Sequence, residues 1–106
     1  MPERVHLRRQ FAALKHPTSR GRSGPIRLSF VESPDPAAVA YAIGRDVGNA
    51  VVRNRVRRRL RAIVEELSPR LTEGFYLVKC GVETPNLTYD ELRNHLNRAI
   101  DGVQRG

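Results

Sequence analysis

Seven arginines stand between positions 45 and 61 (Arg45, Arg53, Arg55, Arg57, Arg58, Arg59 and Arg61), with Asn49 and Asn54 among them and one acid, Asp46. Guanidinium is planar, permanently charged and able to hold a phosphate through two parallel hydrogen bonds, so this composition points to anion binding rather than proton transfer. The residues that could do covalent or metal chemistry are scattered. His6, His16 and His95 show no H-E-x-x-H or comparable ligand spacing, and no G-x-x-x-x-G-K phosphate loop occurs. Asp46, next to Arg45, reads first as a local ion pair or a helix-terminus residue and only second as a metal ligand. Cys80, inside an apolar run, reads as a small buried hydrophobe. The chain is therefore expected to carry no catalytic side chain and no metal site of its own.

The rest of the chain shares the basic bias unevenly. Its 106 residues include 19 basic and 11 acidic side chains, a formal net charge of +8. Residues 1–61 hold 14 basic and 4 acidic groups, a net of +10, whereas residues 62–106 hold 5 and 7, a net of −2. A polyanion is the natural partner for such a surface, and it should meet the first sixty residues. A single cysteine excludes an intrachain disulfide and suggests a reducing compartment. No run approaches the roughly 18 apolar residues of a membrane span, and no signal peptide is evident, so a cytoplasmic protein without a membrane partner is expected. Length and 40% apolar content suit one domain over residues 1–106.

The elements that must position the arginines follow from periodicity. Leu7, Phe11 and Leu14 predict a short basic amphipathic helix ending near Lys15, before Pro17. Residues 16–25, rich in Gly and Pro, read as a basic loop. Ile26, Leu28 and Phe30 alternate with Arg27 and Ser29 as a strand, and Val39, Tyr41 and Ile43 alternate with alanines as another; a hairpin between the two is the economical pairing. A helix capped by Asn49 places Val52, Val56, Leu60, Ile63 and Leu67 on one stripe. Phe75 to Cys80 predicts a third strand. Thr88-Tyr89-Asp90-Glu91 fits a capping box opening a last helix, with Leu92, Leu96, Ala99, Ile100 and Val103 facing the sheet. The result is an α+β fold in the order α-β-β-α-β-α, a small mixed sheet with flanking helices and room for a further strand.

A charged helix face is ordinarily a solvated face of mixed sign. Here Arg53, Arg57 and Arg61 repel at i, i+4, as do Arg55 and Arg59, at a few tenths of a kcal/mol per pair. Phosphates would offset that repulsion, each neutralised contact adding about one unit to the log–log salt slope.

The segment Gly44-Arg45-Asp46-Val47-Gly48-Asn49-Ala50-Val51-Val52-Arg53-Asn54-Arg55-Val56-Arg57-Arg58-Arg59-Leu60-Arg61 closely resembles the signature of the protein subunit of bacterial ribonuclease P. It keeps that family's V-G-N-A-V, its R-N-R triplet at Arg53-Asn54-Arg55, and basic residues at Arg57, Arg58 and Arg61. A weaker likeness extends to the chain ends, including a Leu-Thr-Tyr-x-Glu-Leu entry to the last helix. The resemblance implies a fold of the ribosomal protein S5 domain 2-like type with a left-handed βαβ crossover through the R-N-R helix. It implies an accessory subunit of a tRNA 5′-processing endoribonuclease whose RNA subunit holds the catalytic Mg2+ and cleaves the phosphodiester. Ribonuclease P RNA and precursor tRNA are the implied partners, with no small-molecule cofactor. Carried over by position, Arg53, Asn54, Arg55, Arg57, Arg58 and Arg61 form the RNA-binding set, with Arg45, Asn49 and Arg59 beside them. Arg8 and Phe11 fall in the 5′-leader cleft between the first helix and the sheet, where an aromatic can stack on unpaired bases. The family usually enters the motif through Val-Ser-Lys-Lys, where this chain has Ile43-Gly44-Arg45-Asp46; Lys15 stands where a second aromatic is common.

Two other readings fit the residues. A ribosomal or general structured-RNA-binding protein would need the same basic helix without any nuclease role. A major-groove DNA reader fits less well, because it should keep one helix face for base edges whereas these arginines surround the helix.

Overall fold

A computed structural model describes residues 3–4 and 16–105 of the chain. In chain order the elements are β1 (Glu3–Arg4), β2 (Ser19–Ser23), β3 (Ile26–Glu32), β4 (Ala38–Ile43), α1 (Ala50–Leu67), β5 (Gly74–Cys80) and α2 (Tyr89–Arg105), with short 3-10 turns at Arg45–Val47, Ser68–Arg70 and Thr84–Asn86. The expected helix over residues 7–15 lies outside the described residues, as do Arg8 and Phe11.

The strands form one mixed sheet in the order β1-β4-β5-β3-β2. β2 with β3 and β3 with β5 are antiparallel, whereas β4 with β5 and β1 with β4 are parallel. The expected β3–β4 hairpin does not form, because β5 lies between the two. Its residues explain the insertion: Phe75, Tyr76 and Val78 are buried, on alternating faces, and a strand apolar on both faces belongs at the centre of a sheet. The α1 crossover makes room for this by joining β4 to β5 in parallel.

The partner that β3 does take in a hairpin is β2, within the segment that its Gly and Pro content marks as a loop. Ser23 pairs with Ile26, leaving the two-residue turn Gly24-Pro25, with Gly24 at φ +55° as such turns require of their first residue. Gly21 serves a different purpose. A Cβ there would lie 2.1 Å from the Ala99 carbonyl oxygen, so the missing side chain lets α2 rest directly on β2. The Ser19 hydroxyl donates to the Val103 carbonyl, and Ser23 Oγ lies 2.8 Å from His95 Nδ1, which pins the strand to the helix at both ends.

One face of the sheet carries the core. Ile26, Leu28, Phe30, Val39, Ile43, Tyr76 and Val78 meet Val56, Leu60, Ile63, Val64 and Leu67 of α1 and the apolar stripe of α2. The α1 stripe is as expected except at its first turn, where Val52 is only half-buried, and Val64 joins it. The capping box is formed in both directions, Thr88 N–H donating to Glu91 Oε1 at 2.8 Å and Glu91 N–H to Thr88 Oγ1 at 3.1 Å. The opposite face holds a small apolar cluster of Ala38, Ala40 and Phe75, with the partly buried Val31 and Leu77 packed against it.

Candidate nucleic-acid interface

Asn49 starts α1 as a cap, its Oδ1 accepting from Val52 N–H at 3.0 Å. The carbonyl side of this amide thus serves the helix, while the exposed residue keeps its NH2 group for an outside acceptor. Leu60 and Ile63 are fully buried and fix the rotation of the helix, which decides where each arginine points.

The arginines then divide by what they touch. Arg45, Arg55, Arg58 and Arg61 are exposed and have no ion-pair or hydrogen-bond partner among the described residues. Arg57 donates from Nη1 to Asn54 Oδ1 at 3.0 Å, which orients the Asn54 amide with its NH2 outward. Arg53 is half-buried, and its Nε is a buried donor without a partner among the described residues. Arg59 is partly structural: its Nη1 donates to the Leu87 carbonyl at 3.3 Å, tying α1 to the turn before α2. The ion pairs among the described residues, Arg70 with Asp101 and Arg93 with Glu66, lie in the later half of the chain. The seven cations from Arg45 to Arg61 are thus left without a carboxylate partner among the described residues.

A second basic surface lies on the sheet face away from the core. Side chains alternate across a strand, and Arg27 and Lys79 point opposite to Ile26, Leu28, Val78 and Cys80. Register places Arg22 opposite Arg27 and Arg27 opposite Lys79, one row of cations across three strands, with Arg20 one step along. They line a cleft of about 720 Å3 with Ser29. Sequence inspection did not assign these residues to the site. The signal was nevertheless there, in the alternation of Arg20 and Arg22 with Ser19, Gly21 and Ser23, and of Arg27 and Lys79 with apolar neighbours.

Among the described residues no group of three or more His, Cys, Asp or Glu is placed to hold a metal ion. Burial pushes the Cys80 thiol up to about 11, with the hydrogen bond from Thr84 pulling the other way, so thiolate is scarce near neutrality. Asp46, read as a local ion pair or a helix-terminus residue, is the second of these: it is exposed, lies in the first turn of the 3-10 helix Arg45–Val47, and forms no ion pair with Arg45 or another described residue. Among the described residues no helix is long and apolar enough to cross a membrane.

A helix whose solvent side carries guanidinium groups without a carboxylate partner among the described residues, on an α+β sheet with a row of cations on the face away from the core, defines a protein built to bind a polyanionic strand. A sequence model of the ribonuclease P family matches residues 1–104. The ribonuclease P protein component of Gluconacetobacter diazotrophicus is 35% identical, covering 94% of this chain and 92% of its own, and that of Thermobifida fusca is 35% identical over 96% of this chain and 76% of its own. The ribonuclease P protein of Staphylococcus aureus superposes with a TM-score of 0.80 at 14% identity, covering 95% of this chain and 94% of that one. The protein from Thermotoga maritima gives 0.79 at 19% identity, with 98% and 97% covered. The chain belongs to the ribonuclease P protein family.

Proposed function

We infer that the chain is the protein subunit of a ribonuclease P ribonucleoprotein, binding the catalytic RNA and the 5′ leader of precursor tRNA and assisting removal of that leader. The observation that carries this reading is the set Arg45, Arg53, Arg55, Arg57, Arg58, Arg59 and Arg61, without a carboxylate partner among the described residues, on and before the family's signature helix. Guanidinium groups without carboxylate partners are free to take phosphates, and with Asn49 and Asn54 they form the surface assigned here to ribonuclease P RNA. The whole-chain family match disfavours a ribosomal protein as the alternative.

The leader is assigned to the open sheet face. Its phosphates meet Arg20, Arg22, Arg27 and Lys79 in this reading; Arg8 and Phe11, which the family resemblance gives to the leader by charge and stacking, lie outside the described residues. The protein's part is affinity and orientation: holding substrate and RNA together converts an encounter into an intramolecular step. Among the described residues no group of three or more His, Cys, Asp or Glu is placed to hold Mg2+; in this reading the RNA subunit holds it.

Reconstitution with ribonuclease P RNA tests the assignment. Arg53→Ala and Arg58→Ala should each slow cleavage at limiting Mg2+, and excess Mg2+ should partly restore it, because a divalent cation can screen the phosphates that the arginine no longer meets. Wild-type cleavage by both variants at limiting Mg2+ would remove the helix from this role.

A further inference from the structure

Towards the Cys80 end, the open sheet face leads into a cleft of about 380 Å3 whose polar walls are Arg22, Arg27, Lys79 and Asp46. The cations come from β2, β3 and β5 in one register row, and the acid comes from the 3-10 turn between β4 and α1. Asp46 shares this cleft with three cations and pairs with none of them. Its carboxylate lies back against Gly44, where a Cβ would sit 2.6 Å from Oδ1. The absent side chain at position 44 leaves that place open to it.

The two walls ask for different things. Arg22, Arg27 and Lys79 only donate, and suit a phosphate; an ionised carboxylate only accepts, and repels one. A simple phosphate site gains nothing from Asp46, whereas an RNA nucleotide satisfies both walls. Its phosphate is an acceptor, and its sugar 2′-hydroxyl and base N–H groups are donors. The volume falls within the roughly 300–1,000 Å3 of small-ligand sites, enough for one residue of a strand.

We propose that this cleft holds one nucleotide of a single RNA strand, with its phosphate on Arg22, Arg27 and Lys79 and a hydrogen-bond donor of its sugar or base given to Asp46, which makes Asp46 a specificity-determining residue. The proposal rests on the reading that the open sheet face takes the single-stranded leader. Asp46 then rejects a nucleotide lacking the donor, because its carboxylate would be left facing the cleft without a partner.

The test is a modification scan on the reconstituted ribonucleoprotein. Precursor tRNAs carry, one leader position at a time, either a 2′-deoxy sugar or a base stripped of an N–H donor, and affinity is measured with wild type and with Asp46→Ala. The expected result is one leader position where one modification weakens wild-type binding about tenfold or more, as for a lost hydrogen bond to a charged group, and weakens Asp46→Ala less than twofold. The sugar series and the base series show which donor is read. If Asp46→Ala instead tightens every substrate equally and no position shows coupling, the carboxylate only repels RNA and the proposal is overturned. Arg27→Ala and Lys79→Ala, assayed with leader-bearing and leaderless substrates, separate the two levels. A leader-specific loss without Asp46 coupling overturns the proposal alone; no leader-specific loss overturns the assignment of the sheet face and the proposal with it.

Discussion

Arg27 on β3 stands directly opposite Lys79 on β5 in an antiparallel pair, and Arg22 on β2 stands opposite Arg27 on its other side. Like charges in facing positions work against strand pairing, by about 0.2–1 kcal/mol each. No carboxylate among the described residues pairs with any of the three. A sheet selected for stability alone would place an acid or a threonine in the middle of that row.

Replacing Arg27 by Thr should therefore separate stability from binding. Urea unfolding is expected to show unchanged stability or a gain of up to about 1 kcal/mol. Affinity for leader-bearing precursor should fall, and the log–log salt slope should drop by about 0.7, the value for one phosphate contact on a single strand. An unchanged slope would show that the row makes no phosphate contact.

Gly21→Ala should do the reverse. The new Cβ would meet the Ala99 carbonyl oxygen at 2.1 Å and Val103 N at 3.0 Å, both backbone atoms that no rotamer change can move. Either α2 lifts from β2 or the strand shifts, at an expected loss of about 1–3 kcal/mol, as for other overpacked sites. A thermal or urea midpoint at wild-type level would show that the helix does not rest on this strand as closely as described.

These two residues also mark what the sequence disclosed. The α1 stripe, the Asn49 cap and the Thr88–Glu91 box are local, set by spacings of three and four residues, and all three are legible from the chain. Strand order is not local. The interposition of β5 between β3 and β4 depends on a segment more than forty residues downstream of β3, and nothing in the β3 or β4 alternation records it. β2 was hidden because Gly21, Gly24 and Pro25 signal a turn, and only the turn at Gly24-Pro25 needed such residues; Gly21 answers to α2 instead. The helix arginines were legible as a site because they cluster in sequence. Arg22, Arg27 and Lys79 become a site only once the register is known.

Arg58 and Arg59 are neighbours in sequence with different duties. Arg58 is exposed and without a partner among the described residues, whereas Arg59 donates to the Leu87 carbonyl across the gap to α2. Arg59→Ala should lower stability by about 1–2 kcal/mol through loss of a hydrogen bond from a charged donor. Arg58→Ala should leave the melting temperature unchanged and act only on RNA binding. Calorimetry alongside salt-dependent binding distinguishes the two, and equal stability losses would count against the division.

The capping box gives a pH dependence with a defined sign. The Thr88 backbone N–H, the Thr88 side chain and, last, the nearby His95 favour ionised Glu91 and hold its carboxyl below the ordinary value of 4.5, against a smaller opposing desolvation. A carboxylate whose folded value is depressed adds stability above its unfolded value, and that contribution is lost as pH falls through the lower, folded value. Wild type should therefore be more stable than Glu91→Gln at neutral pH, with the difference shrinking below about pH 4.5 as the carboxylate takes up its proton. Thr88→Ala, which removes the cap hydroxyl, should cost about 1 kcal/mol at neutral pH. Because α2 lies on β2, loosening its first turn should also reach Ser23 through His95, which sits one turn further along the helix. Unfolding midpoints across pH 2–7 for the three proteins measure this. A wild-type to Glu91→Gln difference that stays constant with pH would show that the Glu91 charge contributes nothing to holding α2 on the sheet.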